Sequence, residues 1–583
     1  MDMINVKING NEYSVPKGST ILDAARAANI DIPTLCYLKG INEIGACRLC
    51  LVEVKGARGL MAACVTPAND GMEIFTNTQK VRNSRKTTLE LMLSNHDREC
   101  LSCVRNTTCE LQKLCSDYEI DDVNKYFGEK IKYKKDESTS YLVRDNNKCI
   151  LCRRCVGACE NLQGIGVIGA NNRGFDTYIG STFDLPLAET SCVNCGQCVA
   201  ACPVGALYEK DSTAEVKAAL EDPDKFVVVQ AAPSVRVGLG ECFGLPIGTV
   251  VEGQMSAALH RLGFDRVFDT NFSADLTILE EAHELIDRVQ NGGALPLITS
   301  CSPGWIKYCE HYYPDLLPNV SSCKSPQQMF GAVVKTYYAE TMGIPVDKIV
   351  SVSVMPCTAK KFECDRPDQD AAGVQDVDYS LTTRELGSLI NEAGIDFVNL
   401  PEMPYDSPLG DYTGAGVIFG ATGGVMEAAL RTAVETITGE ELECVEFTDV
   451  RGVEGVKEAS YNVGGLEVNV AVASGLANAK KVLDAIRSGE KNYTFVEIMA
   501  CPGGCVNGGG QPIVDSSVRN FVDVRALRAK GLYELDKNKP LRKSHENPEI
   551  IELYKSYFGE PGSEKAHHIL HTKYVERKVN KDF

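Results

Sequence analysis

Alternating apolar positions open the chain: Ile4, Val6 and Ile8 precede Asn9-Gly10, and Tyr13 and Val15 follow it. Period-two alternation on both sides of Asn-Gly predicts a β-hairpin with a tight turn. Thr20, with Asp23 three residues on, marks a helix start over ILDAARAANI. Hairpin, helix and then cysteine loops predict a small mixed α/β domain over residues 1–80. Strand periodicity fades over 81–125, where a His/Cys cluster sits among predicted helices. Residues 126–145 are charged and lack core periodicity, which reads as a connecting segment or surface excursion, with an ordered edge strand as the alternative. Residues 146–210 hold two near-identical four-cysteine runs. From 211 to 540 apolar strands such as KFVVVQAAP, ALPLITSC and IVSVSVMPC alternate with helices, predicting an α/β domain with parallel sheets. Two of these strands end in cysteine-bearing turns, the usual place for a site in an open α/β sheet. The tail, 541–583, is polar and reads as helices wrapping the surface.

Composition narrows the class. The 583 residues are 44% hydrophobic and 24% charged, ordinary globular usage that excludes disordered and fibrous chains. Apolar runs are far shorter than the ~20 residues a membrane span needs, and the start, Met-Asp-Met-Ile-Asn-Val, has no signal-peptide pattern; a cytoplasmic protein is expected. A net charge of −19 argues against nucleic acid or an anionic membrane as partner and leaves room for a small redox partner. The 25 cysteines are odd in number and mostly in C-x2-C spacings, which points to thiolate ligands for metal rather than disulfides.

Cys149-x2-Cys152-x2-Cys155-x3-Cys159 and Cys192-x2-Cys195-x2-Cys198-x3-Cys202-Pro203 match the bacterial two-cluster ferredoxin run, in which each fourth cysteine serves the other [4Fe–4S] cluster. One cluster takes Cys149, Cys152, Cys155 and Cys202; the other takes Cys192, Cys195, Cys198 and Cys159. Glu160 stands where proline is expected. Cys36-x10-Cys47-x2-Cys50-x13-Cys64 keeps a close pair flanked by distant ligands and reads as [2Fe–2S], with zinc as the alternative. His96-x3-Cys100-x2-Cys103-x5-Cys109 fits a Cys3His zinc site on spacing alone; between two iron–sulfur modules, a [4Fe–4S] cluster with one imidazole ligand fits a relay better. Four one-electron centres demand a two-electron catalyst in the remaining sequence.

Three motifs stand out there: Thr299-Ser-Cys301-Ser302-Pro-Gly-Trp305, Met355-Pro-Cys357-Thr-Ala-Lys360-Lys-Phe-Glu363, and Met499-Ala-Cys501-Pro-Gly-Gly-Cys505-Val-Asn-Gly-Gly-Gly510. They resemble the three signature loops of the [FeFe]-hydrogenases. The N-terminal module order resembles that family's larger members, and the tail KSHENPEIIELYKSYFGEPG is similar to its small-subunit-like segment. The resemblance implies an H-cluster: a [4Fe–4S] cubane bridged to a di-iron unit carrying CO, cyanide and an azadithiolate. Cys505 resembles the bridging cysteine, Cys357 and Cys501 the cubane ligands, and Lys360 the donor to a cyanide, a charge-assisted contact. Met355, Met499, Phe419, Ala232, Pro233, Ser234 and Gln327 fall at pocket positions. The family's first loop usually carries two adjacent cysteines. Here it reads Cys301-Ser302, so the fourth cubane ligand stays open between the two, and Cys301 is the functional thiol. Glu281 and Glu284 lie i, i+3 in LTILEEAHELIDRV, on one helical face. Alone they read as a solvated acidic stripe; by resemblance they join Ser321 and Arg288 in a proton relay to Cys301.

The resemblance implies reversible H2 oxidation and proton reduction, with maturation proteins and an electron carrier as partners. That carrier is ferredoxin for a stand-alone enzyme. For the catalytic subunit of an electron-bifurcating complex, flavin- and NAD(P)-binding subunits take its place, and the N-terminal modules favour this case. A hydrogen sensor, an iron–sulfur assembly protein and an NADH-dehydrogenase-type wire are the competing classes; Lys360 argues against the second and the three loops against the third. No G-x-G-x-x-G, Walker A or G-x-S-x-G motif is present. Cys242, Cys309, Cys323, Cys364 and Cys444 read as buried small hydrophobes.

Overall fold

The computed structural model describes residues 2–126, 128–442 and 444–579. Met3–Ile8 pairs antiparallel with Asn11–Pro16, and the turn between them holds Asn9 and Gly10 at φ 50° and 91°, the left-handed pair the tight turn requires. These strands join Glu73–Phe75, Leu51–Val54 and Met61–Ala62 in a five-stranded sheet that cradles helix Ile21–Ala27. The helix opens with the reciprocal Thr20–Asp23 capping box its sequence predicts. Helices Gln79–Asn95 and Glu110–Asp117 follow. In the charged connector, Leu142–Arg144 forms a short strand against Leu207–Glu209, and what precedes it is irregular. The edge-strand alternative thus holds for three residues.

The C-terminal half is built on two four-stranded sheets. In one, Arg266–Asp269, Phe226–Ala231, Ile349–Met355 and Tyr379–Thr382 lie side by side, all parallel. In the other, Leu297–Ile298, Phe495–Met499 and Leu466–Ser474 run parallel, and Val456–Val463 closes the edge antiparallel. Ile349–Met355 and Phe495–Met499 are buried at every position. A strand covered on both faces gains from apolar side chains on both, so these segments read as continuous hydrophobic runs rather than alternations. The C-terminal ends of four strands, two from each sheet, point into one region: Ala231, Ile298, Met355 and Met499 are followed by the turns that carry Ala232, Cys301, Cys357 and Cys501.

The tail is helical, over Pro548–Leu553 and Glu564–Leu570, but it is more than a surface wrap. Ile550, Leu553, Tyr554, Phe558, Ile569 and Leu570 bury into a core shared with the 22-residue helix Thr270–Asn291 and helix Pro326–Val333. No helix among the described residues is long and apolar enough to cross a membrane.

Candidate active site and its relay of thiols

Cys36, Cys47, Cys50 and Cys64 are all buried and converge: the Cys47 amide lies 3.5 Å from Cys36 Sγ, and the Cys50 and Cys64 sulfurs are 3.3 Å apart. His96 is buried, and loss of hydration pushes its pKa down to about 4, so the ring is neutral. Its Nδ1 has no hydrogen-bond partner among the described residues. A neutral ring with a free, buried nitrogen suits a metal ligand, and Cys100, Cys103 and Cys109 follow on the adjoining turn. Cys115 also lies here, its thiol raised to about 12 by burial and then by Cys109 and Cys100.

In the repeat, burial raises the Cys149, Cys152 and Cys155 thiols, and each also feels Cys202. Cys198 feels Cys192 and Cys159. Each fourth cysteine thus lies near the opposite run, Cys202 being near Cys198 of its own run as well. Iron binding would take these thiols to thiolates.

The four strand ends border about 800 Å³ of space free of protein atoms, part of it open to solvent. Cys301, Ser302, Cys357, Cys501 and Cys505 reach it from the three turns; Ala232, Pro233, Met355, Phe419 and Met499 complete an apolar lining, Gln327 adds a polar amide, and Lys360 brings the charge. Ser234 does not line the cavity. The turn Pro233–Val237 carries it behind the wall, where its hydroxyl donates to Gly420 O at 3.3 Å and its carbonyl accepts from Gln511 Nε2 at 2.8 Å. Lys360 Nζ donates to Glu363 Oε2 at 2.7 Å, Ser325 Oγ at 2.8 Å and the Cys301 carbonyl at 3.2 Å. Burial opposes its charge, yet Glu363, with Cys301 and Cys357 adding to it, holds the ammonium above its ordinary pKa. Glu363, quoted in the second motif without a role, is the anchor of that lysine.

Cys195 of the ferredoxin run lines the same cavity, and it is among the charges felt by Cys501. Two backbones meet there without side chains between them: a Cβ on Gly509 would lie 2.3 Å from Cys195 O and 2.6 Å from Gly196 Cα. Thr358 Oγ1 fixes the contact by donating to Asn194 O at 2.6 Å.

Cys301 and Ser302 face different neighbours. The Cys301 thiol is raised by burial and then by Glu281, with Lys360 opposing, so it stays protonated. The Ser302 hydroxyl accepts from Ala500 N at 3.2 Å, on the turn that carries Cys501. Glu281 is 2% exposed, and burial, then repulsion from Glu284, pushes its pKa up to about 8. The Ser321 hydroxyl lies beside Glu281 and donates to Glu284 Oε2 at 2.8 Å; Arg288 Nη2 donates to Glu284 Oε1 at 2.6 Å. Those bonds are within the ~2.6–3.2 Å reach that proton transfer needs. Of the cysteines read as buried hydrophobes, Cys309, Cys323 and Cys364 are buried, whereas Cys242 is half-buried and Cys444 exposed.

The donor set fits an iron–sulfur group with anionic ligands: thiols on three converging turns, an apolar wall and one cation. Comparison with known proteins bears on the same residues. Residues 225–509 match the C-terminal domain of the iron only hydrogenase large subunit, and 522–577 the iron hydrogenase small subunit. Residues 1–79 match a 2Fe-2S iron-sulfur cluster binding domain, 85–124 the NADH-ubiquinone oxidoreductase-G iron-sulfur binding region, and 148–206 a 4Fe-4S dicluster domain. The chain is 52% identical to the NADP-reducing hydrogenase subunit HndD of Solidesulfovibrio fructosivorans, over 99% of its own length and 100% of that protein. It is 45% identical to iron hydrogenase 1 of Clostridium pasteurianum, over 98% and 100%. Among solved structures, the [FeFe]-hydrogenase HydA(deltaEFG) superposes with a TM-score of 0.56 at 45% identity, covering 62% of this chain and 98% of that one.

Proposed function

The chain belongs to the [FeFe]-hydrogenase family, and from that premise we propose that it catalyses reversible H2 oxidation and proton reduction at an H-cluster held between its three thiol-bearing turns. The observation that carries this reading is the convergence of Cys301-Ser302, Cys357, Cys501 and Cys505 with Lys360 on one apolar cavity at four parallel strand ends. Cys357 and Cys501 would hold the cubane and Cys505 would bridge it to the di-iron unit. Ser302, on the side of the Cys501 turn, would face the fourth corner. When bound, the group supplies heterolytic cleavage of H2 and its reversal.

The protein's own residues supply the rest. Lys360, held in place by Glu363, Ser325 and the Cys301 carbonyl, brings its positive charge to an anionic diatomic ligand. Met355, Met499 and Phe419 exclude water, which strengthens that electrostatic contact. Cys301 keeps its proton next to Glu281, and Glu281, with a pKa of about 8, can take and return a proton around neutral pH. Ser321, Glu284 and Arg288 continue the line outward. Cys195, which lines the cavity, would let iron–sulfur groups held by the two ferredoxin runs exchange electrons with it, and the His96 and Cys36–Cys64 ligand sets would hold the outer groups of the relay. This reading divides the chain as the sequence suggests, at 80, 125, 210 and 540.

One relative that matches end to end is an NADP-reducing hydrogenase subunit, and residues 85–124 match an iron–sulfur region of NADH-ubiquinone oxidoreductase. These support a role as the catalytic member of a complex whose partners bind flavin and NAD(P). The test is infrared spectroscopy of protein matured anaerobically. CO and CN stretching bands are expected; their absence with the maturation machinery present would overturn the reading. Copurification with flavin-bearing subunits tests the complex.

A further inference from the structure

Glu284 has neighbours beyond Arg288. Cys323 Sγ lies 3.8 Å from Glu284 Oε2, and a ring nitrogen of His571, that sulfur and a Glu284 oxygen all fall within 4.8 Å of one another. His571 belongs to the tail, and backbone pairing sets it in place: Thr572 N donates to Ser322 O and Lys324 N to Leu570 O, both at 2.8 Å. Its two ring nitrogens are both engaged. Nδ1 shares a hydrogen with Ser322 Oγ at 2.8 Å, and Ser322 donates its own amide to Glu284 Oε2 at 3.1 Å. Nε2 meets Glu280 Oε2 at 3.1 Å.

Glu280 is wholly buried one turn before Glu284, and it accepts from the Tyr554 hydroxyl and from Gly562 N at 3.0 Å. Among the described residues His571 is the basic group that faces it. The imidazole is not sealed off: its side chain is 6% exposed, and the exposed His567 ring stacks on it at 4.6 Å between centroids. The groups around it are thus Glu280 and Glu284 on the long helix, Cys323 on the facing turn, and Tyr554 and His567 of the tail, with Lys573 beside His567.

We propose that His571 is a second proton port, relaying protons between solvent and Glu284 in parallel with the Arg288 exit. The inference rests on the reading of Glu284 as the outer carboxylate of the proton route. Imidazole suits the task because it can take a proton on one nitrogen while releasing one from the other. Inward, Nδ1–H passes its proton to the Ser322 oxygen, and that hydroxyl turns to release its own to the Glu284 carboxylate, which lies within 4.8 Å of the ring. An N–H and an O–H bond break, two O–H bonds form, and no electron moves. Outward, the steps reverse. His571 acts through Glu284 and is a positioning residue of the relay.

The test compares matured wild type with His571→Gln, His571→Ala and Glu284→Gln. Expected for His571→Gln, which keeps a polar group of similar size but does not titrate, is a three- to tenfold slower H2 evolution, a larger solvent deuterium isotope effect and loss of one limb of the pH profile. Its unfolding temperature should stay at that of wild type. Added imidazole should restore His571→Ala. Protein lacking the active-site group gives an independent readout: infrared pH titration should show a carboxyl band following an imidazole transition in wild type and not in His571→Gln. Normal rates, isotope effect and pH profile in His571→Gln, beside a slow Glu284→Gln, would overturn the port and leave the hydrogenase reading standing. So would a pH-independent loss with lowered unfolding temperature and no imidazole rescue, since that marks a docking role for the tail. A wild type with infrared bands for the active-site ligands but no effect of Glu284→Gln would remove the underlying route and the port with it.

Discussion

Replacing Glu281 with glutamine separates what the carboxyl does for turnover from what it costs the fold. The side chain is 2% exposed, and its pKa rises from 4.5 to about 8, first through burial and second through Glu284. At about 1.36 kcal/mol per unit the shift is worth roughly 5 kcal/mol. Its sign follows from proton uptake: between pH 4.5 and 8 the folded state holds a proton that the unfolded state has released, so stability falls as pH rises through this window. Below 4.5 both states are protonated and the penalty vanishes; above 8 it is complete. Glutamine never ionises. Urea unfolding midpoints of Glu281→Gln and wild type should therefore agree at pH 4.5 and diverge in the variant's favour toward pH 8.5. The same variant breaks the line from Cys301 to Ser321, and H2 evolution with a reduced viologen should fall by a factor on the order of 10²–10⁴, the usual contribution of a positioned acid–base group. A variant that unfolds in parallel with wild type at every pH, or that keeps full activity, refutes the argument that a buried, titrating carboxyl lies on the route.

Other parts of the site answer to separate measurements. Ser302→Cys restores a soft thiolate at the corner beside Ala500, and iron loss from the cubane to a chelator should slow, because thiolate binds iron better than a hydroxyl; an unchanged rate would place that corner elsewhere. Lys360→Met leaves Glu363 buried without its cation; activity should vanish and stability drop by about 3–5 kcal/mol at neutral pH, with Lys360→Met/Glu363→Gln recovering much of the stability and none of the turnover. His96→Ala should cost one cluster's worth of iron and its paramagnetic resonance signal; retention of both would remove the imidazole from the ligand set. Gly509→Ala forces a methyl against Cys195 O, and overpacking of that kind costs about 1–3 kcal/mol; electron exchange with the ferredoxin clusters, followed by stopped-flow, should slow in proportion as the two loops part.

How much of this was legible depends on how local each cause is. The Asn9-Gly10 turn and the Thr20–Asp23 cap are set by neighbours in sequence, and both are where the residues put them. Cysteine spacing points to the relay for the same reason, since a C-x2-C-x2-C turn puts three thiols close along the chain. The strands Ile349–Met355 and Phe495–Met499 showed themselves by unbroken apolar runs. What spacing cannot convey is contact between distant segments. Ser234 directly follows two residues that line the cavity, and one turn of backbone sends it to Gly420 instead. Glu363 became meaningful only when Lys360, Ser325 and Gln327 gathered on its carboxylate. Cys444 looked like any other apolar cysteine until its loop left it in solvent. His571 lies in a polar tail, and nothing within its own segment hints at Glu280, which is 291 positions away.

The seam where Gly509 presses on Gly196 has a bearing on how such chains could be rearranged by recombination. Beads on a string can be shuffled freely; these cannot, because the loop carrying Cys195 doubles as masonry for the chamber behind it. A chimera that imported foreign front-end modules would tolerate a splice in the irregular stretch between 128 and 140, but one cut nearer the second run would have to bring along its matching glycines and the hydroxyl of Thr358. Transplants that ignore this fit should yield two well-folded halves that no longer exchange charge.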